Sequence, residues 1–486
     1  MQRFFFRNLL FLISVNLLIK PLWIFGIDRS VQNVVGSESY GIYFIITNLS
    51  LLTQILLDLG ISHYNNRLIA QQEHLLSRQL SQVLTVKLIL SGLYLLITLG
   101  AALLLRYEGH VLFLLMLVCV NQMLASLITY VRSNISALHR FVADSMLSVM
   151  DKSLMILACG FLLTVPVFRS NFIIDWFIYA QLGAYAITLA AALIYVLRIT
   201  GKISLGFSLS FSRDLLRNTF PFALLIALMM IYGRIDGVMI EKLLPVEGER
   251  EAGLYASAFR LVDAFNQFGF LFSMLLLPIF SRMIGQKKNV EHLAVSGFKV
   301  IHICAVTAVA GTWFYSSEIM HLLYNEASAY SSHILRILML TIIGSTTTYI
   351  FSTLLTANNN LRQLIWIAAV AALINYLLNR LLIPAEKAWG SAAAAAITQI
   401  GIGAAHLILS AIVFRFRLNT ALMGKLILYA IASSVLFFSL KQLPLNWILT
   451  FMTGTAICLL LAFALRLLDV KKVAALVVRN REETVN

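Results

Sequence analysis

Stretches of about 20 mostly apolar residues recur along this 486-residue chain, and that is the length an α-helix needs to cross roughly 30 Å of hydrocarbon. Inside a bilayer no water can satisfy backbone N–H and C=O groups, so only helices and closed barrels can span it. Barrel strands would give shorter segments of alternating polarity, and none are present, so the runs are read as helices. Composition agrees with this. Hydrophobic residues make up 60% of the chain and charged residues 12%, and the mean hydropathy is +0.86. A soluble domain carries about twice that charged fraction. Arg3 and Arg7 before an apolar run resemble a signal peptide. However, Asn16 and Lys20 interrupt that run and Leu22–Gly26 offers no small-residue cleavage site, so a retained first helix is expected.

The apolar pattern predicts fourteen helices, at about 9–27, 41–63, 80–104, 111–131, 146–167, 172–197, 218–240, 253–277, 294–316, 334–357, 362–380, 390–414, 425–440 and 446–467. Charge tests the count independently, because cytoplasmic loops are enriched in Lys and Arg. With the N-terminus inside, the inside segments hold twenty-two basic residues, from Arg3 and Arg7 through Arg282, Lys287 and Lys288 to Lys471 and Arg481. The outside loops hold eight, among them Arg106, Arg169 and Lys441. A miscounted helix would scramble this alternation from that point on. The expectation is an even number of passes with both termini in the cytoplasm.

The net charge of +15 is thereby placed mainly in loops that face anionic headgroups, and nucleic acid is not expected as a partner. Cys119, Cys159, Cys304 and Cys458 sit in apolar helices without CxxC spacing and read as buried small hydrophobes. Neither a disulfide framework, a metal site nor any other cofactor is implied. There is no GxxxxGK[ST] phosphate loop, and no long loop that would carry a catalytic domain, so an enzyme is not expected. Pro221 is placed near the start of the seventh helix, where a missing N–H is tolerated. Pro166 and Pro278 are expected to end or bend the fifth and eighth. The run Ser391–Ala396, with Gly401 and Gly403 after it, suits close helix packing.

Both halves begin alike. Tyr40–Tyr43 (YGIY) opens the second helix and Gly253–Tyr255 (GLY) the eighth, with Gly41 and Gly253 separated by six helices. An even offset means the two copies share one orientation, and a parallel duplication of this kind suits alternating access.

Charged residues inside spans are costly and face a cavity or a partner. The sharpest group is Arg234 and Asp236 in Gly233–Gly237 (GRIDG), together with Arg260, Asp263 and Asn266 in Phe259–Gln267 (FRLVDAFNQ). Arg260, Asp263 and Asn266 are spaced by three and share one stripe of a helix. Two readings stand side by side: a cationic lining for an anionic group, since guanidinium grips phosphate bidentately, or ion pairs that fix packing. Lys20 in the first helix is a further cavity candidate. Asp58 and Asp151, along with Asp236 and Asp263, are candidates for ion coupling. Lys87, Lys152 and Arg336 are read chiefly as side chains that snorkel to an interface, and Asn375 and Asn379 as hydrogen-bonding between helices.

On Val35–Tyr43 (VGSESYGIY), Leu57–Gly60 (LDLG) with Arg67, Arg234–Glu241 (RIDGVMIE) and Glu251–Arg260 (EAGLYASAFR), the chain resembles the multidrug/oligosaccharidyl-lipid/polysaccharide exporter superfamily. Within it, the resemblance is to the polysaccharide-biosynthesis branch that contains O-antigen and capsule flippases. It implies an all-α polytopic membrane protein of about fourteen transmembrane helices, built as two pseudo-repeated six-helix bundles around a central cavity plus two C-terminal helices. The divisions would be 1–198 and 218–414 for the bundles, 199–217 for a cytoplasmic linker, 415–470 for the extra helices and 471–486 for a basic tail. It further implies transport of a polyprenyl-diphosphate-linked oligosaccharide across the bacterial inner membrane, for lipopolysaccharide, capsule or another exopolysaccharide. Arg234, Arg260 and Lys20 would meet the diphosphate and glycan. Membrane lipids and glycan polymerase machinery would be the other partners. The alternatives are a drug/cation antiporter of the same superfamily and, further off, a polysaccharide polymerase or ligase.

Overall fold

The computed structural model describes Asn16 and residues 18–61, 76–138, 140–200, 209–416 and 420–468. Arg3, Arg7, Arg67, Lys202 and the tail from Lys471 lie outside the described residues. In chain order the helices are α1 (Leu18–Leu57), α2 (Leu76–Leu104), α3 (Gly109–Ala137), α4 (Phe141–Thr164), α5 (Pro166–Ser170), α6 (Ile174–Thr200) and α7 (Leu209–Leu243). They continue with α8 (Gly248–Gly285), α9 (Glu291–Leu323), α10 (Ala329–Met339), α11 (Thr341–Ala357), α12 (Leu361–Phe414), α13 (Thr420–Lys441) and α14 (Trp447–Ala464). No strand occurs among the described residues. The protein is an all-α, multi-pass membrane protein.

Among the described residues, twelve helical stretches are long and apolar enough to cross a bilayer, and two of them are too long for one crossing. α1 has 40 residues and α12 has 54, about 60 and 80 Å at 1.5 Å per residue. Each breaks internally, α1 at Gly36 (φ 80°, ψ 167°) and α12 at Lys387 (φ 52°, ψ −135°). The Gly36 conformation is one that only glycine adopts without strain. Counting both sides of each break gives the fourteen segments that the apolar pattern predicts.

Four expectations need correction. The stretch 28–40, expected as a loop, is helical apart from Gly36 and follows a π-helical turn at Leu22–Asp28; Asp28, Gln32 and Ser37 are buried in it, while Glu38 is exposed. α7 starts at Leu209, so Pro221 lies well inside the helix; hydropathy detects the lipid-crossing part and misses the polar turns before it. Of the two outcomes expected for Pro278, ending the helix does not occur, because α8 runs on to Gly285. Cys304 is exposed, while the other three cysteines are buried. Pro166 behaves as expected: Val165 turns extended and Pro166 starts α5.

Contacts divide the chain into two compact units, Met1–Gly253 and Leu254–Asn486. In the first, α3 and α4 pack on α6, and α7 lies along α1. A β-carbon on Gly237 of α7 would come within 2.9 Å of the Phe44 ring and 3.1 Å of the Asn48 amide. Val83 and Val86 of α2, Tyr130 and Ile135 of α3, and Val196 of α6 form an apolar core there. In the second unit α11 packs along α12, with Gly344 and Gly403 where the backbones meet. The core of that unit joins Phe298 and Tyr315 of α9, Phe351 of α11, Tyr429 and Phe437 of α13, and Cys458 of α14. Large apolar side chains such as Leu96 and Trp366 point outward, as they must where hydrocarbon is the solvent.

Candidate functional site: a cation cluster in the first unit

Lys152 of α4 carries the best-defined charge inside the first unit. Its Nζ donates to the Tyr185 hydroxyl of α6 at 3.2 Å and lies 3.4 Å from Asp151 Oδ2. The ammonium also stands over two rings, 5.3 Å from the centre of Trp23 and 5.2 Å from that of Tyr185. Ring quadrupoles attract a cation in this position. Trp23 is itself stacked on Phe177 of α6, with the planes 2° apart and the centres 5.7 Å apart. The lysine is therefore held in place by two helices and the start of α1.

Lys20 belongs to the same electrostatic neighbourhood, in which Lys152, Asp151 and Arg132 act on it. Arg132 of α3 donates from Nε to Asp144 Oδ1 of α4 at 2.8 Å. One turn before Lys20, Asn16 donates to Ser148 of α4 at 3.1 Å. Three cations thus lie near the Asp151 and Asp144 carboxylates in a partly buried setting, where electrostatic attraction is stronger than in water. Beside them, Gln181 donates to the Tyr43 hydroxyl at 2.8 Å. Tyr40 donates to the buried carboxylate of Asp28 at 2.8 Å. The Oδ1 of Asn121 is buried with no hydrogen-bond partner, although its Nδ2 contacts Gln181.

The other sequence candidates fall in several places. Arg234 is half-buried on α7 and Asp236, two residues on, is buried. On α8, Arg260 Nη1 lies 3.8 Å from Asp263 Oδ2, the one-turn pair that the spacing predicts. Asn266, the next turn along, has its Oδ1 buried without a partner. Asp58 meets Lys87 Nζ at 2.6 Å. Lys87 does not snorkel: it is fully buried, donates to the Leu57 carbonyl at 2.9 Å and lies over the Tyr130 ring. Leu57 ends α1, and its free carbonyl together with the Asp58 carboxylate supplies the partners that make a buried ammonium tolerable. Arg336 is also anchored, donating to Ser316 at 2.7 Å. Asn379 donates to Asn375 within α12 and accepts from Ser391 beyond the Lys387 break.

Sequence reasoning passed over Trp23, Tyr185 and the Arg132–Asp144 pair. Ring–cation contacts leave no spacing signature, and residues on different helices come together only on folding. No group of three metal-ligating side chains is found among the described residues.

This fold, with charged groups buried among membrane helices, is that of a transporter of the multidrug/oligosaccharidyl-lipid/polysaccharide exporter superfamily. A family model described as "Polysaccharide biosynthesis protein" matches residues 5–284, and one described as "MatE" matches residues 221–381. The first covers more than half of the chain, which belongs to the polysaccharide biosynthesis protein family. Among solved structures it is similar to the lipid II flippase MurJ in an inward closed conformation (TM-score 0.71, 14% identity, covering 96% of this chain and 99% of that one). It is also similar to a multidrug resistance MATE family transporter in an inward-facing conformation (TM-score 0.58, 15% identity, 81% and 94%). A third likeness is to a superfamily transporter from Pyrococcus furiosus, described as having a binding pocket of reverse polarity (TM-score 0.55, 14% identity, 84% and 95%). At such identities the likeness establishes the fold. No curated protein matches the chain by sequence.

Proposed function

We propose that this protein carries a polyprenyl-diphosphate-linked oligosaccharide across the cytoplasmic membrane by alternating access, with the Lys20–Lys152 cluster meeting the diphosphate. The observation that carries this reading is the caged Lys152, held among Trp23, Tyr185 and Asp151 with Lys20 and Arg132 nearby. A diphosphate cannot enter hydrocarbon unaided, and anchored cations in a partly buried setting lower that barrier. The prenyl tail stays in lipid. Membership of the polysaccharide biosynthesis protein family and the likeness to a lipid II flippase support the same substrate class. Arg234, with Asp236 on the same helix, and Arg260, with Asp263 and Asn266 on its own helix, are further substrate-binding candidates. Coupling to an ion through Asp58 or Asp151 is part of the proposal, as are residence in the bacterial inner membrane and cytoplasmic termini. The protein works without catalysing a covalent step.

A drug/cation antiporter is the second reading, favoured by the MatE match over residues 221–381. The two separate in a proteoliposome assay that follows a fluorescent polyprenyl-diphosphate oligosaccharide between leaflets. The flippase reading expects protein-dependent movement, lost in Lys20→Gln/Lys152→Gln and reduced in Arg234→Ala/Arg260→Ala. Cationic-dye efflux driven by a pH gradient, with no glycolipid movement by folded protein, would instead establish the antiporter.

A further inference from the structure

A second site lies on the lipid-facing side of the first unit. Where α4 ends at Val165 and Pro166 turns the chain into the five-residue α5, a slot of about 510 Å³ opens between α4, α5 and α6. Its lining includes Ala158 and Phe161 of α4, Phe168 of α5, and Trp176, Tyr179 and Ala180 of α6. The two alanines leave room that larger side chains would fill. The aromatic walls hold one another: Phe161 and Phe168 have ring centres 5.6 Å apart, Phe168 and Trp176 6.4 Å, and the buried Phe172 braces Trp176 at 6.0 Å. The slot is therefore preformed by ring packing.

What fills it follows from the solvent on that face. Phe161 and Tyr179 are 58% and 44% exposed on helices that cross the bilayer. Water needs two or more polar partners to occupy such a space, and this lining offers almost none, so hydrocarbon fills it. The rim adds a preference of charge. Arg169 is exposed in the last turn of α5 and has no ion-pair partner among the described residues. The carboxylate beside it in sequence, Asp175, is buried and engaged by His110 Nε2 at 3.2 Å. Trp and Tyr are the side chains that settle at headgroup level, and Trp176 and Tyr179 put the open end of the slot there.

We propose that this slot holds an acyl chain of an anionic phospholipid whose phosphate rests on Arg169, a lipid site separate from the transported substrate. It stands on other residues than the Lys20–Lys152 cluster, so either can fail alone.

The test uses the full chain in phosphatidylcholine nanodiscs containing a trace of phosphatidylglycerol with a photoreactive acyl chain, the labelled peptides being mapped by mass spectrometry. Label should concentrate in 158–162 and 176–180. Unlabelled phosphatidylglycerol should compete it away about fivefold more effectively than phosphatidylcholine, the ratio expected of one arginine–headgroup contact. Arg169→Gln should equalise the two competitors while label remains in the slot. Ala158→Phe/Ala180→Phe should remove label from the slot and leave labelling elsewhere unchanged. Uniform labelling along all lipid-facing helices of the wild type would overturn the site. Equal competition in the wild type, or an Arg169→Gln variant that keeps the full preference, would overturn the anionic headgroup. Both are decisive even if the double-phenylalanine variant does not fold.

Discussion

A β-carbon on Gly41 would lie 1.8 Å from the carbonyl oxygen of Glu249, and one on Gly253 would lie 1.9 Å from that of Ser37. The contact is reciprocal, each glycine meeting the carbonyl four residues before the other, and Gln32 adds a 2.9 Å hydrogen bond to the Gly253 carbonyl. The sequence marks both glycines through their Gly-x-Tyr setting, as signs of a repeat. That they touch was not legible, because no local pattern links residues 212 positions apart. Gly41→Ala and Gly253→Ala should each force the two segments apart, at a cost of about 1–3 kcal/mol, read as a lowered Tm in detergent. Gly100→Ala, where a β-carbon meets nothing within 4 Å, should leave the Tm unchanged. Near this contact, between the spanning helices, Tyr107 is buried and donates to Glu241, while Lys242 sits over its ring. Burial and the Glu241 charge raise its hydroxyl above the ordinary value, which is near 10. A proton held more tightly in the folded state gives stability that is complete below the unfolded value and lost as pH rises past it. The Tm of the wild type should therefore fall more steeply above about pH 10 than that of Tyr107→Phe. Parallel curves would show that the folded protein holds this proton no more tightly than the unfolded chain does.

Among the helices, α11 and α12 show how packing is built when lipid removes most of the hydrophobic drive between them. Gly344 would place a β-carbon 2.1 Å from the Gln399 carbonyl oxygen, and Gly403 one 2.7 Å from the Gly344 carbonyl oxygen. On either side of this crossing are polar contacts, Gln399 to Ser345 at 3.0 Å and His406 to Thr348 at 3.4 Å. Small residues let the backbones approach, and the side-chain contacts then fix the register. Gly344→Leu should disrupt the second unit, giving a large loss of monodisperse protein, whereas Gly401→Leu, facing open space, should purify as the wild type does. The reading of Ser391–Gly403 as a packing surface came from its small residues and holds for Gly403. Its partner segment 344–348 carried no such mark. The breaks at Gly36 and Lys387 were placed only approximately, because hydropathy reports where lipid is met and says little about backbone angle. The same limit explains why 28–40 passed for a loop and why Lys87 passed for a snorkelling side chain.

For the whole molecule, the all-helical class and the approximate number of membrane-length helices were legible because the bilayer imposes one length and one backbone solution on every span. The charged cluster was only half legible: Lys20 and Asp151 stand out as charges in apolar runs, but their common neighbour Lys152 acquires its meaning from Trp23 and Tyr185 on other helices. Orientation is the property that the charges alone decide. Twenty-two basic residues on one side against eight on the other is a bias that short loops obey during insertion. Single cysteines tested with a membrane-impermeant maleimide on intact spheroplasts read it directly, against native cysteines of which Cys119, Cys159 and Cys458 are buried. Glu108→Cys, between α2 and α3, and Glu326→Cys, between α9 and α10, should label from outside. Arg140→Cys, between α3 and α4, and Gln286→Cys, between α8 and α9, should label only after the membrane is opened. All four positions are exposed, so a missing signal reports the side and not burial. Reversed labelling at all four would turn the protein over and remove the cytoplasmic loading of an anionic headgroup. Reversal of the 286 and 326 pair alone would mean an odd number of passes between α4 and α8.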